Sequence, residues 1–270
     1  MIKYGFQTYT WQMSYDKYAG KMRHIADITN QGGLQFVEAE ICMLKDYFEN
    51  PEELQKIFSE KSIEFGALCL VCDWLNPNET DEERLLADKA IKYAGHFKDL
   101  ILVLAQMPQE NRANLEERQK NALACVNSVA KRAHDMGIIS AFHPNSPAGS
   151  VFRTDKDYKI MLDGLDSRYA GFAPDSGHII KGGMNVYDIF REYISVIKHV
   201  HFKDIDKNGT WRIMGKGITD FVQITEILYS GGYNGYIMIE DESPEAELNP
   251  DAVALQNAEY IAKYLNIGKL

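Results

Sequence analysis

The sequence predicts an α/β chain folded as a single (β/α)8 barrel over residues 1–270, and three observations carry that expectation. Short β-rich runs recur eight times at intervals of about thirty residues. A helix-like stretch follows each of them, which implies parallel pairing, because parallel neighbours need a long crossover and a helix is the usual one. No Pro/Gly/Ser-rich linker interrupts the series, and roughly 250 residues is the usual size of one closed barrel of this kind. A doubly wound open sheet is the competing α/β solution. Its dinucleotide-binding form needs a glycine-rich turn after the first strand, and none follows here.

The strands are expected to begin near Tyr4, Leu34, Ile63, Leu100, Ile138, Tyr169, Ile197 and Gly235. The intervening helices are expected over residues 16–31, 51–61, 80–97, 115–136, 154–163, 186–193, 221–230 and 250–265. Periodicity is clearest in the fourth, where Leu115, Ala122, Val126, Val129 and Ala133 recur at threes and fours before Gly137 supplies a stop. Several of these helices start at Asn, Asp or Thr, the residues that cap free N–H groups.

Composition narrows the function. The chain is 45% hydrophobic and 25% charged, an ordinary globular balance. Lys and Arg number 29 against 39 acids, a net charge of −10, which opposes approach to a phosphate backbone and argues against a nucleic-acid partner. The longest apolar runs, such as residues 100–105, fall far short of the ~20 residues of a membrane helix. The start of the chain lacks a basic region followed by an apolar stretch, and the four cysteines, Cys42, Cys69, Cys72 and Cys125, are too scattered for a disulfide framework. A reducing, cytoplasmic setting is expected. Cys69 and Cys72 have the spacing of a redox pair, but three apart on a strand they point to opposite faces and read as core thiols.

A barrel of this type carries its site at the C-terminal ends of the strands. In strand seven, period-two alternation puts His199, His201 and Lys203 on one face, opposite Val200 and Phe202. Buried charge is costly without a partner, so this face should look onto a polar site; a hydrogen-bonded core pair is the other reading of the two histidines. Strand eight runs through Tyr236–Ile239 into Glu240, an acid where ligands are placed in this architecture. In strand two Phe36, Glu38 and Glu40 share a face; Glu38 is the stronger site candidate and Glu40 a rim residue. Strand six leads into Asp175 and His178 on one tight turn, and strand five into His143 and Asn145. Carboxylate and imidazole together suit one divalent ion such as Mn, Co, Zn or Mg. Trp11 and Trp74, near the ends of strands one and three, are expected to help wall the pocket against a sugar ring. His24, His96 and His134 lie in helical segments and read as structural or solvated.

The order of these segments resembles the sugar isomerase/epimerase superfamily of xylose isomerase-like TIM barrels. The motifs that carry the likeness are Asp175-Ser176-Gly177-His178, then Lys198-His199-Val200-His201-Phe202-Lys203-Asp204, then residues 215–221, then 235–240. The resemblance implies Asp175, His201 and Glu240 as metal ligands, His178 and Lys203 as substrate-contacting groups, and Glu38 as the strand-two acid. Two residues before His143, where the superfamily often has a ligating glutamate, this chain has Ala141. His143-Pro144-Asn145 and the segment from Glu240 onward instead resemble inosose dehydratases.

The function expected from this is a divalent-metal-dependent sugar or polyol isomerase or epimerase that moves a proton beside a carbonyl held by the metal. The metal would be held by Asp175, His201, Glu240 and His143; Glu240 would act as base, with Glu38 in reserve, and Lys203 or His178 as acid. An inosose-type dehydratase is the alternative, because losing the strand-five glutamate leaves a two-base epimerase short of one base. A metal-free ligand-binding barrel is the second alternative. A small sugar or polyol is the expected partner, with homo-oligomerisation left open.

Overall fold

The structure is a computed structural model that describes residues 2–265, so the expected span of 1–270 runs beyond it at both ends. Eight parallel strands form its centre: β1 Lys3–Gln7, β2 Phe36–Glu40, β3 Glu64–Cys72, β4 Ile101–Gln106, β5 Ile139–His143, β6 Ala170–Phe172, β7 Val200–Phe202 and β8 Tyr236–Ile239. Their hydrogen-bonded order is β6-β5-β4-β3-β2-β1-β8-β7. The two ends of that sheet meet through isolated parallel bridges, Phe172 with Ile197 and Asp175 with His201, so the sheet curls round on itself. Every strand start falls where the sequence places it, except that the ladder of β7 begins at Val200, the preceding residues contributing only the Ile197 bridge.

Helices cover the outside. The helix expected over residues 16–31 is broken into Tyr15–Tyr18 and Met22–Gln31. Gly20 lies between them at φ +74°, a left-handed turn that glycine makes without steric cost. The long helix Leu115–Asp135 and the last one, Pro250–Tyr264, agree with the expected segments to within a residue or two. Thr80 and Glu83 close a capping box at the start of Asp81–Ala94. No helix among the described residues is long and apolar enough to cross a membrane.

Two apolar layers result. The large one fills the space between strands and helices and contains Val37, Leu68, Leu70, Leu102, Leu104 and Phe202. The small one lines the inside of the barrel and consists of Phe36, Ala67, Cys69, Ile101, Val103, Ala105, Ala141, Ala173, Tyr236 and Met238. Alternation along each strand assigns residues to one layer or the other. Cys69 and Cys72 accordingly separate, one inward and one outward, both buried and unpaired. Because half the inner residues are Ala or Cys, the barrel keeps space above its floor.

Candidate active site

Four strand ends converge. His143 from β5, Asp175 after β6, His201 in β7 and Glu240 after β8 present ligand atoms that all lie within 4.8 Å of one another, and all four residues are buried. The Oδ2 atom of Asp175 is buried with no hydrogen-bond partner, while its Oδ1 caps the following helix by accepting from the His178 N–H at 2.8 Å. An unmatched carboxylate oxygen inside a low-dielectric site is costly; the nearby Lys203 ammonium, at 3.6 Å, stands beyond hydrogen-bond reach, so a directly bound cation would complete it. His143 fits the same role. Its Nδ1 lies 3.2 Å from the Ala173 carbonyl, which can only accept, so Nε2 is left free of its proton. Burial, with the charge of His201, pushes His143 down to about 3, keeping it a neutral ligand. Two imidazoles and two carboxylates form a donor set suited to a borderline divalent ion once His201, whose two ring nitrogens face Glu38 and Glu240, gives up a proton. The site therefore fits one metal ion.

A chain of charges runs beneath and beside this group. Burial alone would depress His201, but Glu38 at Nε2 (2.9 Å) and Glu240 at Nδ1 (2.9 Å) outweigh it and raise the ring to about 10. Glu38 is fully buried; burial would raise its carboxyl, yet His201 and His199, the latter 2.6 Å away, hold it at about 2. Glu38, His199 and His201 also bring three donors together; the two imidazoles share Oε2 of Glu38, while its Oε1 and His199 Nδ1 are buried without a hydrogen-bond partner. Lys203 is 1% exposed and donates to Glu240 Oε1 at 2.8 Å, to Glu242, and to His178 Nε2 at 3.2 Å, with Asp175 Oδ2 at 3.6 Å. Burial opposes the charge on Lys203, and the three carboxylates overcome it, raising its pKa well above the ordinary value. Glu240 is correspondingly held well below the carboxylate range by Lys203 and His201, against the effect of burial. His178 accepts from Lys203, so its Nδ1 carries the proton donated to Ser146 Oγ at 2.8 Å.

Above this floor a cavity of about 330 Å³ opens at the C-terminal end of the barrel. His143, Asn145, Ser146, His178, His201 and Glu240 line its polar floor; Gln7, Tyr9, Gln12 and Glu40 line one side; Cys69, Val71 and Ala105 line the adjoining, apolar stretch of wall. Lys181, Trp211 and Glu242 complete the mouth. A larger hollow of about 1140 Å³ opens at the other end among the strand starts, but no metal-ligating group is found there among the described residues. The candidate metal donors lie at the smaller one.

Most of the expected site residues come together here, with three changes of place. Glu38 lies under His201, out of reach of the cavity, and Glu40, one side-chain step nearer the mouth, lines it instead. The reason is stagger: Glu38 pairs in register with Gln7 and Ala67, one layer below the opening. Neither Trp11 nor Trp74 lines the cavity. Trp11 is buried against Phe6 and donates through Nε1 to Asp251 at 2.7 Å, and Trp74 is buried at φ +46°. The aromatic wall is Trp211, on a short antiparallel ladder of Asp204–Ile205 with Trp211–Arg212. Lys181 stacks 4.0 Å over its ring, and Gly177 lets it close in, since a Cβ there would stand 2.8 Å from the indole. Asn145 reaches the cavity while donating to the Gln106 carbonyl at 2.9 Å. Sequence reasoning missed Glu242, although it continues the alternation of Glu240 by two residues. The segment 215–221 of the recognised motif is structural: Asp204 accepts from the N–H groups of Gly215, Gly217 and Thr219 and pins it beneath the mouth.

Fold and donor set define a class of protein, and comparison with known families agrees. The chain belongs to the xylose isomerase-like TIM-barrel family, whose model matches residues 26–264. Among curated proteins it is 26% identical over 170 residues to the inosose dehydratase of Clostridium perfringens, a match covering 56% of this chain. The chain spans little more than half the length of that relative, 57%. With the inosose dehydratase of Clostridium botulinum it shares 25% identity over 242 residues, 77% of this chain and 80% of that one. Among solved structures, an IolI protein with a bound zinc atom superposes with a TM-score of 0.79 at 16% identity, covering 98% of this chain and 100% of that one.

Proposed function

We propose that this chain is a divalent-metal-dependent lyase that removes water from a small keto-polyol of the inosose type. The observation that carries the reading is the absence of a carboxylate on β5: Ala141, wholly buried, stands where a second ligating base would face Glu240. The likeness to inosose dehydratases supports the same choice. His143, Asp175, His201 and Glu240 would hold the ion, which supplies Lewis acidity toward a substrate oxygen and so acidifies the neighbouring carbon. Glu240, ionised at every working pH, is the acceptor for the carbon-bound proton. It is a weak base, so the transfer is favourable only from a strongly polarised carbon acid. Lys203 keeps that carboxylate charged and oriented, and His178, neutral and fixed by Ser146, is a hydrogen-bonding contact for a substrate hydroxyl.

A keto-sugar isomerase or epimerase is the second reading, favoured by one observation: Glu40 and Glu240 both face the cavity, so two carboxyl groups are available after all. Incubating the metal-loaded protein with an inosose and with ketohexoses in deuterated water separates the two. Loss of one water from the inosose with deuterium entering the product supports the lyase; an unchanged mass with deuterium in a ketohexose supports the isomerase. Protein that purifies without metal and turns over neither substrate is a binding barrel.

A further inference from the structure

Glu40 is, with Glu242, one of two cavity carboxyl groups that the preceding scheme does not use. Its surroundings differ from those of every other acid there. Glu240 and Glu242 both pair with Lys203, and Asp175 lies 3.6 Å from the same ammonium. No Lys or Arg lies within ion-pair distance of Glu40 among the described residues. Its Oε2 accepts from the Gln12 side chain at 2.9 Å and from the more distant Cys42 thiol, and both contacts are to neutral groups.

The groups facing it disfavour its charge. Glu38 lies below it on the same strand, Glu240 faces it from β8, Tyr9 and Gln12 from the segment after β1, and Cys69 from β3. Burial, then the neighbouring charges of Glu240 and Glu38, push its carboxyl up to about 7, and the Gln12 hydrogen bond only partly opposes this. Near neutral pH the cavity thus holds ionised Glu240 and, on the neighbouring arc of wall, a carboxyl group that still carries its proton in about half of the molecules. Two carboxyl groups whose environments drive them apart are the usual arrangement for a base and an acid in one reaction.

We propose that Glu40 is the general acid that protonates the departing hydroxyl. The proposal rests on the lyase reading above. The C–H bond breaks, its proton passes to Glu240 and its electron pair is held as the enolate of the neighbouring carbonyl. As that pair returns to form the new carbon–carbon double bond, the C–O bond on the next carbon breaks with its pair on oxygen, and that oxygen takes the Glu40 proton and leaves as water. Glu240 returns its proton to solvent and Glu40 regains one through the open mouth, so the sum is substrate to product plus water.

The test compares wild type, Glu40→Gln and Glu40→Asp, each metal-loaded, on an inosose and on its analogue with fluorine in place of the departing hydroxyl. Fluoride leaves with little help from an acid. Glu40→Gln should slow water loss by roughly 10²–10⁴-fold, the usual worth of a positioned acid, yet slow fluoride loss less than about tenfold, with metal content kept. Glu40→Asp should recover part of the rate. Equal deficits on both substrates, or water loss within about threefold of wild type, overturn the assignment. If wild type does not dehydrate the inosose, the lyase reading fails separately, and difference infrared spectroscopy still decides on Glu40. A protonated carboxyl band at pH 6 that vanishes in Glu40→Gln supports it as the acid, and identical spectra overturn it.

Discussion

The inside of the barrel has two unlike arcs. From β3 to β5 the inward residues below His143 are Ala67, Cys69, Ile101, Val103, Ala105 and Ala141, apolar and mostly small. From β6 through β8 to β2 they include Asp175, His199, His201, Lys203, Glu240 and Glu38, nearly all buried and all tied to one another. The small arc makes room for a ligand; the charged arc supplies the chemistry. Neither could exchange roles, because charged groups are tolerable here only as a balanced set, and methyl-sized side chains leave space only where no charge must be matched.

The comparison breaks most severely if the balance of the charged arc is removed. Lys203→Met leaves Glu240, Glu242 and Asp175 facing one another, and metal-free protein should lose about 3–5 kcal/mol in urea unfolding. A divalent ion should restore part of this; a loss under about 1 kcal/mol would show that the carboxylates simply take up protons. Next comes pH. Glu40 is held at about 7 in the folded protein against an ordinary 4.5, so the folded state keeps a proton that the unfolded chain gives up. Its stabilising contribution is complete below about 4.5 and is lost as pH rises through 7. Relative to Glu40→Gln, wild type should therefore lose about 2–3 kcal/mol across that window, read from denaturation midpoints at each pH.

Placing charge on the apolar arc sharpens the contrast. Ala141→Glu should cost metal-free protein roughly 1–3 kcal/mol through overpacking, and should bind a divalent ion more tightly by isothermal titration. Unchanged affinity would mean that position 141 does not reach the donors. The smallest effect is expected at the mouth. Trp211→Ala removes a wall and the ring under Lys181, and should raise KM about tenfold, near 1.4 kcal/mol, more than it lowers kcat.

Much of this was legible in the chain because alternation and strand ends are local properties. The spacing of apolar runs located all eight strands, and the polar residues at the C-terminal ends of strands five to eight, His143, Asp175, His201 and Glu240, are the four donors that meet. Depth was not legible. Glu38 and Glu40 share a face and differ only in height, and height is set by how β2 staggers against β1 and β3. Aromatic walls were also hidden, since whether Trp11 or Trp211 meets the cavity depends on Asp251, far from Trp11 in sequence, and on a two-residue ladder too short to show an alternating pattern.

The seam between β6 and β7 carries a further consequence. Every other neighbouring pair of strands is paired over at least three residues, whereas among the described residues these two pair through isolated bridges and the N–H donations of Lys198 to Phe172 and His201 to Pro174. Asp175 and His201, two of the four donors, stand opposite each other across that gap. A ligand gripped by both acts as a rivet through the barrel's thinnest joint, so filling the site would tighten the closure of the whole cylinder. Amide exchange along residues 197–202 is where that fastening would register first.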